Sequence, residues 1–78
     1  MSESSRGTGG ESQPLLVNGR PAPLPAGRTL AEVLDGAGLA NRPVAVEVDG
    51  EVVPRSRFSE PCLNGGERIE IVTFVGGG

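Results

Sequence analysis

The chain has 78 residues, room for one small core. Its 13 Gly and 7 Pro bring it close to the compositional border of disorder. There is no His, Trp, Tyr or Lys and a single Cys, so these residues hold no Ser-His or Cys-His dyad, no Cys/His zinc site and no P-loop or Schiff-base lysine.

The net charge is −3, and the seven basic residues (Arg6, Arg20, Arg28, Arg42, Arg55, Arg57, Arg68) are scattered. Phosphate binding needs a concentrated positive patch, so no nucleic-acid partner is expected. Cys62 has no partner for an intramolecular disulfide, which fits a reducing compartment. No apolar run is long enough to span a bilayer, and the N-terminus lacks a signal-type hydrophobic stretch. The expectation is a cytoplasmic protein without a membrane partner.

Met1 to Gln13 contain no large apolar residue after the first, so residues 1–13 are expected to form a disordered extension. Leu15-Leu16-Val17 reads as a strand, and Asn18-Gly19 as a two-residue hairpin turn. Arg20 to Leu24 is the return strand. Pro21 and Pro23 confine it to a sheet edge. Thr29 and Glu32 form a T-x-x-E capping box ahead of Leu30, Val33, Leu34 and Ala37, which share one helical face. Gly38 is the expected helix stop.

Val44 to Asp49 alternates with Val44, Val46 and Val48 on one face. Asp49-Gly50 is a second hairpin turn, and Glu51-Val52-Val53 returns until Pro54 ends it at another edge. Arg55 to Leu63 is irregular, with one helical turn around Phe58. Asn64 to Glu67 turns the chain, and Arg68 to Phe74 is the last and longest strand. The order β-β-α-β-β-β is that of a β-grasp roll. It is an α+β fold with a mixed sheet of four to five strands on one helix and the final strand beside the first. This domain is expected over residues 14–75.

If Ile69 and Ile71 face the helix, Val72 and Phe74 face away from it. Together with Val75 they make the candidate partner-binding patch. Gly76, Gly77 and Gly78 follow as a flexible tail. Three residues without Cβ can thread a narrow channel and bring the α-carboxylate of Gly78 to its end. A carboxylate is a poor electrophile. Converted to an acyl-adenylate it acquires a leaving group that a sulfur donor can displace, leaving a thiocarboxylate.

From Val17-Asn18-Gly19 through Thr29-Leu30-Ala31-Glu32-Val33-Leu34, Val52-Val53-Pro54-Arg55-Ser56 and the closing Glu70-Ile71-Val72-Thr73-Phe74-Val75-Gly76-Gly77-Gly78, the chain resembles the ThiS family of ubiquitin-like sulfur carriers. The resemblance implies a carrier and cosubstrate rather than an enzyme. It implies a ThiF-like adenylyltransferase that consumes ATP at Gly78, a cysteine desulfurase or other sulfur donor, and a thiazole synthase that takes the sulfur for the thiazole ring of thiamine. It implies no bound cofactor. Two departures are the N-terminal extension and Phe58, where the family pattern has Trp. Other readings are a carrier for molybdopterin, cysteine or another thio-metabolite, a ubiquitin-like modifier joined to lysines, and a non-covalent binding module.

The remaining polar residues carry weaker signals. Cys62 has no basic neighbour in sequence and reads as a structural small hydrophobe. Arg55 and Arg57 read as exposed ion-pair partners before docking residues. Glu47, Asp49 and Glu51 lack the spacing of a dedicated metal loop, and no metal site is expected.

Overall fold

The computed structural model describes residues 13–74. Residues 1–12 and Val75, Gly76, Gly77 and Gly78 lie outside the described residues, and with them the expectations for the extension and the tail. The described elements are β1 (Leu15–Val17), β2 (Arg20–Ala22), α1 (Leu30–Gly36), β3 (Val44–Val48), β4 (Glu51–Val53), a 3₁₀ turn (Arg55–Arg57) and β5 (Arg68–Thr73). The five strands form one sheet in the order β2-β1-β5-β3-β4. β5 runs parallel to β1 and antiparallel to β3, so the last strand is central, as expected.

Both hairpins turn on two residues with positive φ: Asn18 (51°) with Gly19 (84°), and Asp49 (51°) with Gly50 (88°). Such turns match the right-handed twist of the flanking strands. The register Leu16↔Pro21 lies between the pairs Leu15↔Ala22 and Val17↔Arg20. In a two-residue hairpin the middle pair is not hydrogen bonded, so the missing N–H of Pro21 falls on the solvent edge. The strand stops at Ala22 instead of reaching Leu24, because β1 begins at Leu15 and offers no further ladder.

The helix starts as its sequence dictates. Glu32 N–H donates to Thr29 Oγ1 (3.1 Å), while the Glu32 carboxylate accepts from Thr29 N–H (3.2 Å) and Thr29 Oγ1 (2.8 Å). It ends in a Schellman arrangement. Gly38 (φ 78°) donates to Asp35 O, and Leu39 N–H donates to Leu34 O. Ala37, expected on the buried face, is instead the exposed C-cap. The half-buried Leu39 folds back toward the core after the stop.

The core is Leu15, Leu30, Leu34, Val46, Phe58, Leu63, Ile69 and Ile71, all on the helix side of the sheet. Each such side chain contributes about 1.5–3 kcal/mol on burial. The 3₁₀ turn seats Phe58 in the core, and the Phe58 carbonyl accepts Ala31 N–H (2.9 Å), one of the helix's unpaired first-turn donors. Cys62, expected to be buried, is exposed. Pro61 and Cys62 sit on the outside of the loop while Leu63 turns in, its N–H donating to Arg28 O (3.1 Å).

Candidate functional site

The strand that leads into the C-terminal tail is fixed at its start by side chains from three turns. The Glu67 carboxylate accepts from Asn64 N–H and Gly65 N–H, both at 2.7 Å, and so closes the turn before β5. Gly65 (φ 103°) and Gly66 (φ 87°) occupy conformations that favour glycine. Asp49, at the β3–β4 turn, accepts Arg68 N–H on its Oδ1 (2.9 Å) and donates its own N–H to Arg68 O (2.8 Å). Asn18, at the β1–β2 turn, bonds the backbone of Ile71 in both directions: Oδ1 accepts its N–H (2.8 Å) and Nδ2 donates to its carbonyl (3.2 Å).

Along β5 the two faces separate cleanly. Ile69 and Ile71 are 0% and 8% exposed, while Val72 and Phe74 are 56% and 57% exposed. Val72 and Phe74 therefore stand together on the face without the helix, next to the tail. Val75, the third residue of the expected patch, and Gly76, Gly77 and Gly78 lie outside the described residues.

The same face carries features that sequence reasoning missed. Leu16 and Val52 are exposed on it, and the register places Glu47 beside Glu70 with Val52 beyond. Alternation within Leu15-Leu16-Val17 signals Leu16. The acidic pair needs the β3–β5 register, which the sequence alone does not state.

Arg57 and Arg55 are occupied locally. Arg57 Nε pairs with Glu60 Oε1 at 3.1 Å, exposed on both sides. Arg55 Nη2 donates to Arg42 O (3.0 Å), and its guanidinium lies 5.7 Å from the Phe58 ring centroid. Among the described residues no three acidic or Cys side chains gather as a metal site would require. The Glu32 carboxyl is held below its ordinary pKa, chiefly because the Thr29 side chain donates to the ionised form.

A mixed five-stranded sheet with one helix on one face and a central last strand defines a ubiquitin-like β-grasp protein. The model of the ThiS family matches residues 15–78. The crystal structure of the thiamine biosynthesis protein ThiS from Geobacter metallireducens aligns with a TM-score of 0.65 at 32% identity, over 85% of this chain and 100% of that one. A thiazole synthase of Paramagnetospirillum magneticum is 39% identical over 64 residues, covering 82% of this chain and 20% of that protein. A thiazole synthase of Magnetococcus marinus is 42% identical over 62 residues, covering 80% and 19%. The chain spans about a fifth of the length of these curated relatives. The chain belongs to the ThiS family.

Proposed function

We propose that the protein is a sulfur carrier of thiamine biosynthesis whose working group is the α-carboxylate of Gly78. The observation that carries this reading is a family match that covers the folded domain and runs to the last glycine. A ThiF-like adenylyltransferase joins the Gly78 carboxylate to the AMP part of ATP and releases pyrophosphate. A sulfur nucleophile from a cysteine desulfurase or another donor then attacks the acyl carbon. The bond to the AMP oxygen breaks and AMP leaves: hydrosulfide gives the thiocarboxylate directly, whereas a persulfide gives an acyl disulfide whose S–S bond a thiol then cleaves, releasing the thiocarboxylate and a disulfide. A thiazole synthase consumes that sulfur. Two relatives named thiazole synthase contain a region similar to this chain, which supports that enzyme as a partner. Val72, Phe74 and Val75 are the docking patch, since an exposed aromatic beside the tail is the kind of anchor that interfaces use. ATP belongs to the activating enzyme, and the carrier itself needs no cofactor.

The test is the intact mass after incubation with the adenylyltransferase, ATP and a sulfur source. The expected gain is the exchange of one oxygen for one sulfur, located at Gly78. Deleting Gly78, or adding a residue after it, abolishes the gain. A truncated protein that still supports thiazole formation overturns the reading. Adducts on lysines of other proteins would point to a modifier instead.

A further inference from the structure

β1 accompanies β5 for a short distance. Their register is Leu16↔Arg68 and Val17↔Ile69, and the last backbone bond between them runs from Asn18 N–H to Ile69 O (2.8 Å). At Asn18 the chain enters the left-handed region and leaves for β2. Alternate residues of a strand turn their backbone groups to the same side, so Ile71 follows Ile69 in facing the β1 side. Among the described residues no strand remains there to receive it. The Asn18 carboxamide does so, with an acceptor for Ile71 N–H and a donor for Ile71 O, the same pair of groups a peptide unit offers. Beyond Ile71 the strand is held from the β3 side, by Ala45↔Val72 and by Phe74 N–H donating to Pro43 O (3.4 Å).

We propose that Asn18 is a positioning residue for the tail: it extends the β1–β5 ladder by one residue with a side chain, and so sets the line on which β5 hands over to the residues leading to Gly78. This rests on the carrier reading above. Gly78 lies seven residues beyond Ile71, a reach of roughly 25 Å when extended. A strand frayed at Ile71 must be re-ordered when an activating enzyme binds, and that cost appears in KM rather than in kcat.

The experiment measures adenylation of the full chain by a ThiF-like adenylyltransferase, read as pyrophosphate release, together with amide exchange at Ile71. Asn18→Gly keeps the positive-φ turn and removes both bonds. It is expected to raise KM for the carrier about fivefold to tenfold with kcat within about twofold, and to speed Ile71 exchange about tenfold. Asn18→Asp keeps the turn and the acceptor but loses the donor, and raises KM by a smaller factor. Thr29→Ala is the control. It loses the helix cap, which makes no bond to β5 or Asn18, lowers stability, and leaves KM unchanged. If Asn18→Gly leaves KM unchanged, or if Thr29→Ala raises it equally, the positioning role is overturned and Asn18 is structural. If the wild-type chain is not adenylated at Gly78, the carrier reading fails and the inference falls with it.

Discussion

Glu47 and Glu70 stand directly opposite each other on the face of the sheet that the helix leaves open. Like charges in a cross-strand pair oppose the ladder that brings them together. Glu70→Thr removes the repulsion and places a β-branched residue in the strand. It is expected to stabilise the fold by about 0.2–1 kcal/mol at low salt, and the gain should shrink as salt screens the wild-type pair. Urea unfolding at two ionic strengths checks it. No gain at low salt would mean the two carboxylates already avoid each other in solvent.

The capping box makes stability pH-dependent with a definite sign. The folded pKa of Glu32 lies below its ordinary value of 4.5, because Thr29 Oγ1 first, and the N–H groups of Gly27 and Thr29 after it, donate to the carboxylate. Desolvation raises it and is second in size only to the Thr29 side-chain bond, and the net shift is downward. The group's contribution is therefore present above pH 4.5 and is lost as the pH falls through the folded value. Glu32→Gln should flatten this part of the acid limb of a stability profile. An unchanged slope would assign the acid sensitivity to other carboxylates.

Gly27 is part of the same device. A Cβ there would lie 2.5 Å from Glu32 Oε1 and 2.9 Å from Glu32 Cδ. The glutamate can swing away, so Gly27→Ala is expected to break the box rather than the fold. Thr29 still caps the helix through Glu32 N–H, so the cost should be smaller than that of losing the Thr29 side chain. Thermal unfolding measures that cost, and an NMR titration of the Glu32 carboxyl should show its pKa returning toward the ordinary value.

Much of this architecture is legible in the sequence because the decisive signals are local. Asn18-Gly19 and Asp49-Gly50 dictate positive φ, Thr29 and Glu32 sit three residues apart, and Pro21 and Pro54 mark edges without reference to anything distant. The faces of β5 follow from strict alternation. What escaped depends on the fold around it. Cys62 is exposed because its neighbour Leu63 takes the inward position, and a loop has no period to say which of the two will. The Asn18–Ile71 clamp joins residues 53 apart, and nothing at either position announces it. The hairpin signal already explains Asn18 in full, so a second role leaves no trace in the pattern.

Phe74 separates folding from docking. It is 57% exposed on the open face, whereas Ile71 on the same strand is 8% exposed in the core. Phe74→Asp should therefore cost the fold under about 1 kcal/mol, as at ordinary surface positions. In the proposed complex it removes an aromatic anchor and sets a charge in its place, which should weaken binding to the activating enzyme by about thirtyfold or more. Ile71→Asp puts a carboxylate into the core and should unfold the domain. Calorimetry of binding with circular dichroism of each variant tests the contrast. A folded Phe74→Asp variant that binds as tightly as the wild type would remove Phe74 from the interface. An unfolded one would show that the ring supports the domain.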